Sequence, residues 1–162
     1  MKKILFVIMM VASTVAMAQT GYVNSQALIG AMPEVAKADE SLKELATRLQ
    51  TDVAKREENA QAKMQDLEYE MRAPKVTPER QKEIQSLAAE IQKEVANANK
   101  MAELELASKR NELLEPVYKK VNEAIAAVAK KRSMKVVVDI SAILYAGEDL
   151  DLTADVRKEL GL

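Results

Sequence analysis

The chain has 162 residues, of which 48% are apolar and 30% are charged, and its formal net charge is −1. It has neither Cys nor His, which excludes disulfide bonds, most metal sites and every catalytic dyad or triad that depends on those residues. The charge balance offers no basic surplus for binding nucleic acid. We therefore expect no cofactor, no metal and no catalytic residue, and a binding or structural protein instead of an enzyme.

Residues 1–18 have the pattern of a secretory signal peptide. Two lysines precede an apolar run at Ile4–Val15, and Ala16-Met17-Ala18 fits the small-x-small cleavage rule, so cleavage is expected between Ala18 and Gln19. A retained membrane anchor is the alternative, but spanning a bilayer takes about 20 apolar residues. Cleavage removes both lysines and no acid, which moves the formal charge from −1 to about −3. The sequence predicts a soluble protein of a Gram-negative periplasm.

A short extended piece follows the signal peptide at residues 20–24. Ser25 is a good cap for a helical turn that runs through Ile29 and ends at Gly30. Pro33 then suits the first position of a longer helix.

Two long amphipathic segments, at about 33–73 and 78–132, make up most of the chain. Their apolar residues recur at steps of three or four, which is the a/d pattern of a coiled coil. Pro74 stops the first segment, and Thr77-Pro78 is typical of a helix start. The pattern predicts an antiparallel helical hairpin in which each narrow seam covers the other. The seam positions are Val35, Ala38, Leu42, Leu45, Leu49, Val53, Arg56, Ala60, Met64, Leu67 and Met71, and then Ile84, Leu87, Ile91, Val95, Ala98, Ala102, Leu106, Lys109, Leu113, Val117, Val121, Ile125 and Val128.

Pro116 lies inside the second segment. Proline removes a backbone hydrogen bond and clashes with the preceding turn, so a kink is expected there. We interpret it as a bend where the hairpin meets its base, in preference to a mechanistic hinge.

The periodicity changes after Arg132. Residues 134–140 are apolar and β-branched and predict a buried strand, and Ala142–Tyr145 is a candidate second strand. Thr153 is expected to cap a final helix over residues 154–160, which Gly161 closes. Strands so short and few leave bare edges and lack a second layer. Several chains are therefore expected to pool their strands in one core, with a dimer, trimer or tetramer all open on physical grounds.

Four motifs flank the predicted hairpin: Gly21-Tyr22-Val23-Asn24, Val136-Val137-Val138-Asp139, Ala142-Ile143-Leu144-Tyr145 and Asp151-Leu152-Thr153-Ala154-Asp155-Val156. Together with the hairpin and the signal peptide, they resemble the Skp (OmpH-type) family of periplasmic chaperones for outer membrane proteins. The resemblance covers essentially the whole chain after residue 18.

The resemblance implies a mainly α fold with a small β base. A long antiparallel coiled-coil arm, residues 33–132, would project from a strand-containing body, residues 19–32 and 133–162, that joins three chains. The implied function is that of an ATP-independent holdase. It would bind unfolded outer membrane β-barrel proteins in a cavity between the arms and prevent their aggregation before membrane assembly, with indirect contact to the assembly machinery.

Two sets of residues are expected to carry these roles. The oligomer body is predicted to include Tyr22, Val23, Val136, Val137, Val138, Ile140, Leu144 and Tyr145. Contact with client proteins is predicted for Met64, Tyr69, Met71 and Met101, with ordinary packing as the alternative for Tyr69.

The chain departs from the best-known members of the family in two respects. Those members are strongly basic, whereas this chain is slightly acidic, so we expect neither a strong lipopolysaccharide site nor strong electrostatic capture. Ser133 stands where the family commonly ends the long helix with Gly or Asn, which leaves the helix end open. The alternative function is a structural or adaptor hairpin of the cell envelope that bridges other components through its tip.

Overall fold

The structure is a computed structural model that describes residues 20–162; the expected signal peptide and its cleavage site, Ala18 and Gln19, lie outside the described residues. The elements in chain order are β1 (Thr20–Val23), α1 (Ser25–Gly30), α2 (Pro33–Met71), α3 (Pro78–Lys131), β2 (Val136–Asp139) and α4 (Thr153–Glu159). Two 3-10 turns, Ile140–Ala142 and Glu148–Leu150, lie between β2 and α4. The mainly helical fold with a small strand pair confirms the predicted fold class.

The described chain divides into two compact units. One consists of residues 33–116, and the other combines residues 20–32 with residues 117–162. The second unit therefore includes the last part of α3, which the sequence analysis assigned to the arm. Helix α3 continues without interruption through Pro116, at the boundary between the two units.

The unit formed by residues 33–116 is a helical hairpin. Polar contacts join α2 to α3 in reversed order along the chain, at Arg48–Glu105, Glu57–Asn99 and Glu70–Arg80, so the two helices are antiparallel. The predicted seam is confirmed, because most of its residues within this unit are half-buried and Ala38 and Ile84 are fully buried. Arg56 is the exception: it is exposed, and its guanidinium lies 3.8 Å from the carboxylate of Glu94.

The other unit contains a two-stranded parallel sheet. β1 pairs with β2 in a register that places Thr20 opposite Val136 and Val23 opposite Asp139. The chain returns beside β1 later on, where the Leu152 amide donates to the Tyr22 carbonyl oxygen at 2.8 Å. The buried core of this unit consists of Val23, Leu28, Met32, Val117, Val121, Ala124, Val128, Leu152 and Val156.

Three local predictions about caps and strands are wrong. The α1 cap is Asn24, whose side chain accepts from the Ala27 amide at 2.9 Å, because Ser25 is engaged elsewhere. Thr153 is the first residue of α4 and caps nothing; its hydroxyl oxygen accepts from the Asn24 amide at 3.0 Å. Ala142–Tyr145 forms no strand, because Asp139 caps a 3-10 turn at residues 140–142 and no neighbouring strand of the described chain lies beside it.

The predicted strand at 134–140 is present but shorter, and it is not buried within the chain. Only Val136–Asp139 is extended, and Val136 and the following Ile140 are 49% and 43% exposed. The reason is that β2 has a single partner, β1, and no layer covers its outer face within residues 20–162.

Two helices end in the same way, with a residue in the left-handed conformation. Ser133 has a φ of 56° after α3, and Gly161 has a φ of 75° after α4. At both ends, two backbone amides donate hydrogen bonds to carbonyl oxygens of the last helical turn. Examples are the Met134 amide with the Ala129 carbonyl at 2.8 Å and the Leu162 amide with the Arg157 carbonyl at 3.0 Å. Ser133 thus takes the role for which Gly or Asn is the usual residue.

Candidate functional site

The described residues offer surfaces and no enclosed chemical centre. Within residues 20–162, no group of three or more His, Cys, Asp or Glu side chains is arranged to hold a metal ion. No helix in that range combines the length and apolar character needed to cross a membrane. Candidate sites are therefore the two lateral sides of the hairpin, its tip, and the exposed residues of the strand-containing unit.

One lateral side of the hairpin is charged, and we call it the charged side. Arg48 and Glu105 approach to 3.3 Å across the seam, and Arg56 and Glu94 to 3.8 Å. A shallow groove between these pairs is lined by both charges and apolar side chains, including Met101. Any ligand on this side has to displace or accommodate ion pairs that are more than half exposed.

The opposite lateral side has a different chemistry. A groove there has apolar residues along its floor and three glutamine amides along its rims, and we call it the amide groove. Glu57 and Glu68 are the only charged residues among its lining residues. The floor consists of the half-buried Ala60, Met64, Ile91 and Val95, and the exposed rims carry Gln61, Gln65, Gln92 and Ala96.

The four predicted client-contact residues do not form one surface. Met64 is half-buried on the floor of the amide groove, whereas Met101, 63% exposed, lines the groove on the charged side. Tyr69 is 83% exposed near the tip, and Met71 is half-buried at the end of α2. The exposure of Tyr69 argues against its packing alternative within the chain, while its role in contact stays a prediction.

The hairpin tip is held by an ion-pair cluster around Arg80. Its guanidinium donates to both carboxylate oxygens of Glu70, at 2.6 and 2.8 Å, and lies 2.8 Å from Glu83. These bonds lower the pKa of the Glu70 carboxyl and raise that of the Arg80 guanidinium. Thr77 caps α3 by accepting from the Arg80 amide at 3.3 Å. The reversal between the helices is thus a defined structure.

The residues predicted for the oligomer body fall into two classes. Val23 is buried in the core of its own chain, and Tyr22, Val137 and Val138 are half-buried in the strand pair. Burial raises the pKa of the Tyr22 hydroxyl, and the nearby Asp151 carboxylate raises it further. The four exposed members are apolar: Val136 at 49%, Ile140 at 43%, Tyr145 at 91% and Leu144 fully exposed.

Asp139 fixes the start of α1 to the end of β2. Its carboxylate accepts from the Ser141 amide at 2.9 Å, and from both the hydroxyl and the amide of Ser25. Hydrogen bonds from Ser141 and Ser25 hold the pKa of the Asp139 carboxyl well below its usual range. From the sequence, Asp139 belongs to a motif that predicts no role for its side chain, and the structure gives it this one.

Comparison with known proteins agrees with this architecture. Residues 19–160 match the family described as outer membrane protein (OmpH-like). The chain belongs to the OmpH-like family. The predicted resemblance to the Skp (OmpH-type) family is therefore confirmed.

Two similar proteins illustrate how far this OmpH-like chain differs from others in sequence. An OmpH-like protein from Caulobacter crescentus CB15, described as a candidate outer membrane chaperone, has a similar fold. Its TM-score is 0.65 at 15% identity, over 90% of this chain and 85% of that one. An uncharacterized protein of Aquifex aeolicus (strain VF5) is 37% identical over 59 residues. That match covers 36% of each protein, so the chain spans about a third of that relative's length.

The difference between the two sides of this OmpH-like hairpin was not predicted from the seam spacing, which describes the outer faces of both helices only as polar. Each residue of a helix is rotated by about 100° from the one before it. On that basis, Gln61 and Gln65 lie on the opposite flank of α2 from Arg48 and Arg56. Gln92 lies on the opposite flank of α3 from the acids that pair with those arginines. That projection was the signal available in the sequence.

Proposed function

We propose that this protein is an ATP-independent periplasmic holdase for unfolded outer membrane β-barrel proteins. It acts as a homotrimer after cleavage of its signal peptide, and it holds each client between the helical arms until membrane assembly. The observation that carries the proposal is membership of the OmpH-like family over residues 19–160, which supports a chaperone role. The likeness to the Caulobacter crescentus protein, described as a candidate outer membrane chaperone, agrees with it.

The hairpin suits a holdase for a physical reason. An unfolded outer membrane protein exposes alternating apolar side chains and free strand edges, both of which aggregate. A holdase must contact many such sequences weakly, which adaptable surfaces with Met and small apolar residues allow. Each helix of the hairpin buries one narrow seam and leaves apolar side chains such as Met101 and Leu104 more than half exposed.

The exposed apolar residues of the strand-containing unit support association with other copies of the chain. Val136, Ile140, Leu144 and Tyr145 lie within ten positions of one another and are exposed in the single chain. Large exposed apolar clusters mark interaction surfaces in soluble proteins. Their burial by other copies would complete the short sheet.

The first experiment measures native mass and client protection together. The purified protein is weighed by native mass spectrometry alone and after addition of several urea-unfolded outer membrane barrels. We expect three protomers alone, complexes with every barrel, and suppressed light scattering with or without ATP. A monomer that leaves barrel aggregation unchanged would refute the proposal.

A second experiment separates the two units. Deleting one facing heptad from each helix of the hairpin should leave the trimer intact and reduce protection of clients, because the strand-containing unit is untouched. Loss of the trimer would contradict this division of labour.

The adaptor alternative uses the tip in place of the arms. It predicts one stoichiometric partner and loss of binding when Tyr69 or Arg80 is replaced. Graded binding of many unfolded barrels that survives Tyr69→Ala and Arg80→Ala would exclude it.

A further inference from the structure

We propose that clients are held on one lateral side of each hairpin, in the amide groove, as extended segments that run parallel to α2 and α3. The proposed occupant is a stretch of an unfolded outer membrane β-strand with alternating apolar side chains. This inference rests on the proposed holdase function and adds which face of the hairpin binds and how.

The first argument is that the three glutamine amides of the groove make no competing contacts, whereas the groove's acids do: Glu57 accepts from Asn99 at 3.3 Å, and Glu68 lies 3.6 Å from Arg72. Gln61, Gln65 and Gln92 are exposed, and none of them has a hydrogen-bond partner among residues 20–162. Each amide carries two donors and an acceptor. A strand edge from an unfolded barrel presents unpaired backbone N–H and C=O groups, which need both kinds of partner.

The second argument is a match of repeat distances. Gln61 and Gln65, like Ala60 and Met64, are four residues apart on α2, which corresponds to about 6 Å along the helix axis. Side chains on one face of an extended strand recur every two residues, or about 6.7 Å. A strand that lies along the groove can therefore place two or three successive side chains of one face against successive turns of α2. Each of these side chains then contacts a floor residue and lies near an amide of the rim.

The third argument is electrostatic. The charged side has ion pairs at Arg48–Glu105 and Arg56–Glu94 crossing the seam. Covering those charges with apolar side chains would remove them from water at a cost in free energy. The floor of the amide groove carries no charge. Its two acids lie at its ends on α2: Glu57 is four residues before Gln61, and Glu68 is three residues after Gln65. An apolar strand face is therefore better accommodated there.

The groove also explains weak, promiscuous holding. The stretch from Glu57 to Glu68 corresponds to about 17 Å of helix, which matches about five residues of an extended strand. A membrane-spanning strand has about 9–11 residues. One groove therefore holds part of a strand, and stable retention needs several grooves acting together.

The decisive experiment is site-specific cross-linking, which the lack of native cysteine makes clean. Single-cysteine variants Gln65→Cys and Gln92→Cys place a benzophenone label in the amide groove. The controls Asn59→Cys and Asn97→Cys replace exposed amides of the same two helices on the charged side. Each labelled protein is mixed with a urea-unfolded outer membrane barrel and irradiated.

We expect cross-linking from positions 65 and 92 to exceed that from positions 59 and 97 by about fivefold, because direct contact should be confined to one side. Equal yields from both sides would overturn the inference. All four variants are also tested for suppression of barrel aggregation. If the variants suppress barrel aggregation but cross-link equally from both sides, the groove is refuted and the holdase function stands. If the unlabelled parent protein does not suppress barrel aggregation, the holdase function itself is refuted.

A second pair of variants tests the chemistry of the groove. Ala96→Glu adds a carboxylate to the groove, and Asn97→Glu adds the same charge one residue away on the charged side. Both residues are exposed, so both variants should fold. Ala96→Glu should weaken barrel binding about tenfold, because apolar contact would desolvate the new charge. Asn97→Glu should leave binding within about twofold, and an equal loss in both would contradict the proposal.

Discussion

The two units of the chain are stabilised to different degrees by burial. In the strand-containing unit, Leu152 and Val156 are completely buried and Leu28 nearly so. In the hairpin unit, most seam residues are half-buried, and full burial is confined among the described residues to Ala38, Ile84 and Leu114. Sequence length and full burial are therefore distributed unequally: the longer unit has the thinner core. A hairpin that depends on one seam is expected to open locally at a lower free energy than the strand-containing unit.

The largest expected effect comes from removing a core side chain in each unit. Leu152→Ala should lower the free energy of unfolding by about 3 kcal/mol, because it leaves a cavity among fully buried residues. Leu45→Ala, at a half-buried seam position, should cost about 1 kcal/mol. Urea unfolding at one fixed protein concentration measures both. Equal losses would show that the two units are stabilised alike.

A smaller loss is expected from Gly21→Ala. A Cβ at this position would lie 2.7 Å from the Leu152 Cδ1 atom and 3.3 Å from the Leu150 carbonyl oxygen. Because Leu152 is fully buried, it has little room to move, and we expect a loss of about 2 kcal/mol. Gly30→Ala is the control, since nothing lies within 4 Å of its Cβ position. A neutral Gly21→Ala would mean that β1 and Leu152 are loosely packed.

The Asp139 contacts predict a dependence of stability on pH. The pKa of this carboxyl is lower in the folded chain than in the unfolded one, because Ser141 and Ser25 donate hydrogen bonds to it. Its contribution is therefore fully present above the unfolded pKa of about 3.9 and is lost as the pH falls below that value.

Urea midpoints measured from pH 7 down to acid conditions test this contribution. The midpoint of the parent protein should fall more steeply below about pH 4 than that of Asp139→Asn, which cannot titrate at this position. Parallel curves for the two proteins would show that the contacts of Asp139 add nothing to the stability of this unit.

The smallest effects are expected at the two left-handed helix ends. Ser133→Gly should stabilise the protein by about 0.5–1 kcal/mol, because glycine adopts the observed φ of 56° without strain. The converse change, Gly161→Ala, should cost about 1 kcal/mol through backbone strain alone, since nothing lies within 4 Å of its Cβ position. The midpoint of thermal unfolding should rise for Ser133→Gly and fall for Gly161→Ala. A destabilised Ser133→Gly variant would show that the serine side chain itself contributes to stability.

Sequence periodicity predicted the hairpin well because each helix carries its own signals. Pro33 and Pro78 mark both helix starts, and the three-and-four spacing continues to the ends of α2 and α3. The strand-containing unit was predicted less well because its local choices are decided by distant residues. Asn24 and Ser25 are both good caps, and Asp139, far along the chain, determines the outcome by binding Ser25.

The same limit explains the second strand that was expected at Ala142–Tyr145. The residues favour extended structure, but a strand needs a neighbour to pair with, and the described chain supplies none at that edge. The amide groove was missed for another reason. Glutamine carries no charge and no strong structural preference, so its importance appears only when the two sides of the helix pair are compared.

The parallel pairing of β1 with β2 has a consequence for how the chain is made. Ser25 and Asp139, which connect these strands, are 114 residues apart. Closing a disordered loop of that length costs about 4 kcal/mol of chain entropy, and prior zipping of α2 against α3 would shorten it. In vectorial synthesis, Val23 and Leu28 emerge long before Leu152 and Val156, with which they share a core. Until its last residues have emerged, a nascent copy therefore carries a strand without its parallel partner and an apolar surface that Leu152 and Val156 have yet to cover.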